Sequence, residues 1–213
     1  QHGDGSFDQV YPFEKTPGVF YDILPALIFV HQRPELGTID RAKVADIIQK
    51  GLDFALKTDE VHGEIANHLA AFAYALDCHA DTFNDSRSER RRDTYLERIM
   101  AGFNHEEGWF LEYYGPDPGY QTRTLSYLTR LARHRQDDSL WDICRKAGEF
   151  LGQVMMPDGT LNPMLGVRST ALLYPTGFEL LALHDCTFAP LALKVRDAWT
   201  NRRTALPMQL DFP

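Results

Sequence analysis

The sequence predicts an all-α fold, an array of about four helical hairpins. Segments with a helical period of apolar residues cover most of the chain, and strongly apolar segments alternate with amphipathic ones. A similar turn recurs before or within the start of each apolar segment, at intervals of roughly fifty residues, the scale of supersecondary repeats. The sequence has no long alternating runs of the kind that form strands. The four turns are Asp4-Gly5-Ser6-Phe7, His62-Gly63-Glu64-Ile65, Glu107-Gly108-Trp109-Phe110 and Asp158-Gly159-Thr160-Leu161.

Eight helices are predicted along the chain. The first four span about residues 19–31, 41–57, 64–78 and 88–103. A fifth follows a central loop, a sixth ends near residue 154, and the last two span about 177–184 and 188–199. Thr38 or Asp40 is expected to cap the second helix, and Asp137 or Ser139 the sixth, because their side-chain oxygens accept from free N–H groups. The residues expected in the core are Leu69, Phe72, Leu76, Leu125, Leu128 and Leu181.

The composition is that of an ordinary globular chain. A net charge of −8 argues against a general nucleic-acid or membrane-surface binder, and no apolar run approaches the ~20 residues that span a bilayer. Cys78, Cys144 and Cys186 lack framework spacing, which predicts buried, reduced thiols and a cytoplasmic location. The length suits one domain over residues 1–213. Because the chain starts at Gln1 and not at methionine, this domain is expected either alone or within a longer protein.

The stretch 106–128 carries the densest set of candidate functional groups. It reads EEGWFLEYYGPDPGYQTRTLSYL, with tyrosines and carboxylates around prolines and glycines that break regular structure. It then continues into an apolar helical pattern. Loops held by a rigid scaffold are common places for sites, so we expect this central loop to line one.

The turns also resemble those of a known class of proteins. The segments DGSFD, EGWFLEYYGPDPGY and PDGTLNPMLGVRSTALLYPTGFELL resemble the (α/α) toroid proteins of carbohydrate metabolism, above all the toroidal domains of heparinase II/III-like polysaccharide lyases and uncharacterised bacterial relatives. The resemblance implies a toroid or open arc of hairpins, with a glycan bound at the rim where loops enter the inner helices. Closed toroids of this class use six or more hairpins, and the lyases add a β-sandwich domain that this chain lacks. With four hairpins, the ring would be completed by a further segment or by a homo-oligomer.

The resemblance also implies a set of site residues. A lyase acting on a uronic-acid glycan needs a group that neutralises the carboxylate, a base and an acid. The catalytic candidates are His68, Tyr113, Tyr114 and Arg168, with His68 favoured because histidine exchanges protons near neutral pH. The substrate-binding candidates are Asn67, Trp109, Glu112, Asp117, Tyr120 and Tyr174. In the competing interpretation, Asn67 and His68 satisfy loop carbonyls and the tyrosines pack between hairpins.

Three other functions would use the same rim: a glycoside hydrolase, an epimerase-type enzyme, and a non-catalytic glycan-binding or scaffold protein. A glycoside hydrolase would need paired carboxylates, and acids at such junctions also cap helices. The available acids are Glu107, Glu112, Asp117, Asp8 and Glu14. A non-catalytic glycan-binding or scaffold protein would need no such pair.

An isoprenoid cyclase-like enzyme is a further alternative. Its aspartate-rich motif would be the segment Asp137-Asp138-Ser139-Leu140-Trp141-Asp142, for which helix capping is the competing interpretation. No metal and no cofactor are expected. The two candidate zinc segments, Asp77-Cys78-His79 and His184-Asp185-Cys186, lack the spaced ligand pairs of a zinc site.

Overall fold

The computed structural model describes residues 1–8, 15–37, 39–60 and 64–201. Within these ranges the chain forms eight α-helices and two short antiparallel strand pairs. The helices are Gly18–His31 (α1), Arg41–Ala55 (α2), Ala66–Phe83 (α3), Ser86–Ala101 (α4), Pro118–Arg135 (α5), Asp138–Val154 (α6), Thr176–His184 (α7) and Ala189–Thr200 (α8). The strands pair Phe7–Asp8 (β1) with Lys15–Thr16 (β2), and Phe103–Asn104 (β3) with Trp109–Phe110 (β4).

The predicted all-α fold is confirmed, and each predicted helix is present with changes at its ends. Helix α3 runs five residues beyond Cys78, because nothing in the sequence breaks it before Asn84, which adopts a left-handed φ of 52°. Helix α4 begins two residues earlier than predicted, at Ser86. Tyr120, assigned to the central loop from the sequence, lies in the first turn of α5.

Two of the predicted caps are present. The side chain of Asp40 accepts from the backbone N–H of Lys43 at the start of α2, and that of Asp137 accepts from Leu140 at the start of α6. Asp137 therefore acts as a helix cap, as the competing interpretation of the aspartate-rich segment expects. The alternative cap Thr38 lies outside the described residues.

By its internal contacts the chain divides into two compact units. The first comprises Gln1–Gly63 and Ala71–Glu97. Its core is aromatic: the Phe72 ring lies 4.6 Å from that of Tyr21 and 5.5 Å from that of Tyr95, and all three side chains are buried. Helix α1 packs on α2 in the same unit.

The second unit comprises Glu64–Ala70 and Arg98–Pro213. Helix α5 packs against α6 and α7, and α7 against α8. The buried face of α5 includes small polar residues as well as leucines, and their hydroxyls are bonded within the unit: Thr122, Thr124, Ser126 and Thr129. All six residues predicted in the core are buried: Leu69, Phe72, Leu76, Leu125, Leu128 and Leu181.

Three of the four recurring turns share one geometry. Gly5, Gly108 and Gly159 each have φ between 81° and 91°, a conformation that costs other residues strain. A Cβ on each glycine would also meet the backbone carbonyl of a helix lysine in the same unit. The lysines are Lys50 in α2, Lys146 in α6 and Lys194 in α8. His62 and Gly63 of the remaining turn lie outside the described residues.

The prediction of buried cysteines is only partly right. Cys144 is buried, Cys78 is half-buried and Cys186 is exposed, because Cys186 follows the end of α7. All three are free thiols, and burial raises the pKa of Cys144 far above its usual value. Among the described residues, no helix combines the length and apolar character needed to cross a membrane.

Candidate functional site

The central loop ends in a closed turn that presents two tyrosines. Glu112 and Gly115 exchange backbone hydrogen bonds, with N···O distances of 2.9 and 3.3 Å. Tyr113 has a φ of 61°, a left-handed conformation that is strained for a bulky residue. Tyr114 is 96% exposed. The turn therefore holds one tyrosine in a strained backbone position and leaves the next open to solvent.

Glu112 anchors this turn from inside the second unit. Its side chain is fully buried. The carboxylate accepts from the backbone N and side-chain Nδ2 of Asn67 at 2.9 and 2.7 Å, and from the Thr124 hydroxyl at 3.2 Å. Asn67 lies in the first turn of α3, where backbone N–H groups have no partner within the helix. Glu112 therefore caps α3 from a distant loop.

Burial and hydrogen bonding shift the pKa of Glu112 in opposite directions. Burial raises the pKa of this carboxyl to about 8, and the hydrogen bonds from Asn67 and Thr124 act to lower it. The Arg123 guanidinium lies on the far side of Asn67, with its Nη1 3.3 Å from the Asn67 Oδ1. The buried carboxyl, the amide and the guanidinium thus form one network behind the turn.

Asp117 joins the central loop to the loop between α6 and α7. Its carboxylate caps α5 by accepting from the Tyr120 N–H at 3.1 Å, and it also accepts from the backbone N–H of Arg168 at 2.9 Å. The side chain is fully buried. It lies so close to Gly166 that a Cβ at that residue would fall 2.4 Å from the Asp117 Oδ2. This carboxylate therefore positions Arg168.

Arg168 and three tyrosines form the part of the site that reaches solvent. The Arg168 guanidinium carbon lies 4.4 Å from the centre of the Tyr113 ring, a cation–π contact. The Tyr113 and Tyr120 rings are 6.3 Å apart, centre to centre. Arg168 is exposed, and within the described ranges the structure pairs its guanidinium with no carboxylate. We call Tyr113, Tyr114, Tyr120 and Arg168 the tyrosine–arginine surface.

The remaining residues predicted for the site have partners of several kinds. His68 is half-buried and follows Asn67 in the first turn of α3. Trp109 is half-buried in β4, and its indole N–H donates to the Glu107 carboxylate. The backbone N–H of Tyr174 donates to the Thr122 hydroxyl at 3.0 Å. The site geometry thus connects Asn67, Glu112, Asp117, Tyr113, Tyr120 and Arg168 directly.

The carboxylates suggested for a hydrolase cap helices, bond to neighbouring side chains, or lie outside this unit. Glu112 and Asp117 are buried and cap helices, as described above. Glu107 is exposed and bonded to Trp109 and Asn104. Asp8 belongs to the first unit, where it pairs with His2 at 2.9 Å, and Glu14 lies outside the described residues.

Sequence reasoning missed three residues that support the site. Thr124 and Arg123 complete the Glu112 network, and Gln121 fixes the turn that contains Gly108. The Gln121 side chain donates to the carbonyls of Gly108 and Ala147 and accepts from the Phe110 N–H. The available signal was a run of polar residues on the buried face of an otherwise apolar helix.

Within the described ranges, no group of three or more histidine, cysteine, aspartate or glutamate side chains is arranged to hold an ion. The tyrosine–arginine surface is instead suited to hydrogen bonding, aromatic stacking and recognition of a negative charge.

Comparison with known proteins connects this fold to enzymes that act on glycans. No family model and no curated protein sequence matches the chain. Among solved structures, an inactive variant of the alpha-1,6-mannanase GH76A of Salegentibacter sp. HEL1_6, bound to alpha-1,6-mannotriose, aligns with a TM-score of 0.68 and 13% identity over 91% of this chain. A second variant of the mannanase, bound to alpha-1,6-mannotetrose, aligns with a TM-score of 0.65 and 12% identity, again over 91% of this chain.

A polysaccharide lyase aligns with a TM-score of 0.60 and 10% identity over 85% of this chain. This chain spans 64%, 63% and 58% of the three matched chains, respectively. At these identities the likeness concerns the fold. The fold is that of the (α/α) toroid or open-arc class, and the predicted resemblance to toroidal carbohydrate-active proteins is confirmed.

Proposed function

We propose that this chain binds an acidic glycan at the tyrosine–arginine surface and acts on it as a lyase. The observation that carries the proposal is the exposed Arg168 guanidinium. Tyr113 lies under it, Asp117 fixes its backbone, and no carboxylate among the described residues neutralises it. In a protein of net charge −8, this guanidinium offers an anionic sugar a positive charge.

The choice of ligand class rests on the fold and on the chemistry of the surface. Two of the structures that share the fold hold manno-oligosaccharides, and the third is a polysaccharide lyase. Tyrosine rings stack on the apolar faces of sugars, and their hydroxyls bond sugar hydroxyls. A guanidinium binds a carboxylate through two parallel hydrogen bonds. A uronic-acid unit offers both a stacking face and a carboxylate.

The reaction we propose is β-elimination. A base takes the proton from the carbon next to the uronate carboxylate, and that C–H electron pair forms a carbon–carbon double bond. The bond from the neighbouring carbon to the leaving oxygen breaks, and an acid protonates that oxygen. Arg168 would neutralise the carboxylate and stabilise the charge that develops on it. His68, Tyr113 and Tyr114 are the proposed proton-transfer groups.

Elimination is favoured over hydrolysis by the positions of the carboxylates. Hydrolysis by the usual route needs two carboxyl groups that flank the scissile bond. Glu112 and Asp117, the two carboxylates nearest the surface in sequence, are fully buried and bonded to helix starts. An elimination needs no carboxylate pair.

A spectroscopic assay tests this function. Incubation with uronic-acid polysaccharides should produce an unsaturated sugar that absorbs in the near ultraviolet, and neutral mannans should give no such signal. Arg168→Gln, Tyr114→Phe and His68→Ala should each reduce the rate by about a hundredfold or more, with an unchanged helical circular dichroism spectrum. Wild-type activity in all three variants, or activity found only on neutral glycans, would refute the proposal.

A non-catalytic glycan-binding protein is the second candidate, and the exposure of Tyr114 favours it. A side chain that is 96% exposed lacks the enclosed surroundings in which proton transfer is usually efficient. This candidate predicts saturable binding of the uronic-acid oligosaccharide without turnover, and the same dependence on Arg168.

A further inference from the structure

A second concavity lies in the same unit at the opposite end of α5 from Tyr120. It has a volume of about 400 Å³, within the range of small-molecule sites. Residues near the ends of α5, α6 and α7 line it, and it is open to solvent. Tyr120 and Arg133 both lie in α5, 13 positions apart, so this concavity is about 20 Å along the helix from Tyr120. Its lining residues are Arg133, Gln136, Asp138, Trp141, Leu180, Leu183 and His184.

One wall is aromatic and aliphatic. The His184 imidazole lies parallel to the Trp141 indole, with ring centres 4.0 Å apart and planes 6° apart. Trp141 is only 6% exposed and belongs to the buried face of α6, so the stack has a fixed base. Leu183, which is 80% exposed, extends the apolar surface.

Three further lining residues are polar and exposed. Within the described ranges, the structure gives the side chains of Arg133, Gln136 and Asp138 no hydrogen-bond or ion-pair partner. Gln136 is held at the C-cap of α5 in a left-handed conformation, with a φ of 54°. Arg133 and Asp138 carry opposite charges, so they provide both donors and acceptors with little net charge.

We propose that this concavity is a second sugar-binding site, and that it takes a neutral saccharide unit. A pyranose has an apolar face and a rim of hydroxyls, which matches an aromatic wall beside a donor, an acceptor and an amide. A purely apolar ligand would displace water from Arg133, Gln136 and Asp138 and would offer them no hydrogen bonds in return. A small anion would face Asp138 and make no use of the apolar wall.

The choice of a saccharide rests on the proposed function, because a glycan polymer can reach two separated sites on one protein. Occupation of both sites raises overall affinity through effective concentration, without new contacts at either site. The two sites would differ in charge preference: acidic units at the tyrosine–arginine surface, and neutral units at this concavity.

The test observes each tryptophan separately by NMR. The chain has three tryptophans, Trp109, Trp141 and Trp199, whose indole N–H signals are assigned with single Trp→Phe variants. Mannotriose, cellotriose and xylotriose are titrated in turn into the full chain. We expect at least one of them to shift the Trp141 signal saturably, with a Kd of about 1 mM or below, as for a small weakly bound ligand.

Variants of exposed lining residues link the shift to the concavity. Asp138→Ala and Gln136→Ala should each weaken the binding about fivefold. Asp142→Ala, which removes an exposed carboxylate from the same helix, should leave it unchanged. Adenosine serves as a planar aromatic probe.

Three results would overturn the proposal: no Trp141 shift with any of the three sugars, a saturable shift with adenosine only, or a shift that Asp138→Ala and Gln136→Ala leave intact. The Arg168→Gln variant separates this site from the first. It should abolish uronate binding and leave the Trp141 response to neutral sugars unchanged. Because the two measurements are independent, the failure of one proposal can be distinguished from the failure of the other.

Discussion

Glu112 binds Asn67 twice, at 2.9 Å through the backbone N–H and at 2.7 Å through the side-chain amide. The two residues are 45 positions apart in the sequence. Their contact fixes the turn that carries Tyr113 and Tyr114 to the start of α3. The strained backbone of Tyr113 is therefore held in place by a buried carboxyl rather than by local preference.

This contact predicts a specific dependence of stability on pH. Burial raises the pKa of Glu112 from 4.5 to about 8 in the folded state. A carboxyl with a raised folded-state pKa stabilises the protein fully below about pH 4.5, and this contribution is lost as the pH rises to about 8. The unfolding free energy of the wild type should therefore fall by a few kcal/mol between about pH 4.5 and about pH 8. Glu112→Gln should lack this fall, because glutamine does not titrate.

Urea denaturation at several pH values, with wild type and Glu112→Gln compared at each, measures this effect. Glu106→Gln, which changes an exposed carboxyl in the same loop, is the control and should keep the wild-type pH dependence. Parallel stability curves for wild type and Glu112→Gln would show that Glu112 does not titrate in this range.

The shared turn geometry predicts that replacing Gly108 destabilises the protein. Alanine at this residue would bring a Cβ within 2.4 Å of the Lys146 carbonyl oxygen and would impose strain at a φ of 81°. We expect Gly108→Ala to lower the unfolding free energy by about 1–3 kcal/mol. Gly37→Ala is the matched control, because a Cβ there meets nothing within 4 Å. Equal stability of the two variants would contradict the observed turn geometry.

The aromatic core of the first unit predicts a large effect of Phe72. Phe72 is 2% exposed and touches the rings of Tyr21 and Tyr95. Its truncation to alanine should cost about 3–5 kcal/mol of unfolding free energy. Phe29→Ala, at a residue that is 52% exposed, should cost far less. A loss below about 1 kcal/mol for Phe72→Ala would mean that this residue is not a core anchor.

The positions of the helices could be predicted because their signals are local. Asp40 and Asp137 precede apolar helical periods, and both act as caps in the structure. The glycine turns were visible for the same reason, since a glycine beside polar turn residues is a short-range pattern. The extra turn of α3 beyond Cys78 was missed because helix ends carry weaker signals than helix interiors.

The interior of the site could not be predicted in the same way. Glu112 and Asp117 stand among polar loop residues in the sequence, which suggested that they face a substrate. Their burial is decided by partners 45 and 51 residues away, Asn67 and Arg168. The roles proposed for His68, Tyr113, Tyr114 and Arg168 remain predictions, as does the cytoplasmic location.

The most direct test of acidic-glycan recognition compares two ligands that differ in one group. Calorimetric titration of a uronic-acid oligosaccharide and of its carboxyl-reduced counterpart isolates the contribution of the carboxylate. We predict that wild type binds the acidic form about ten- to a hundredfold more tightly, as expected for charge-assisted hydrogen bonds. Arg168→Gln should lose this preference, and Arg145→Gln, which removes a guanidinium elsewhere in the second unit, should keep it. Equal affinity of wild type for the two ligands, or a preference that survives in Arg168→Gln, would contradict the proposed function.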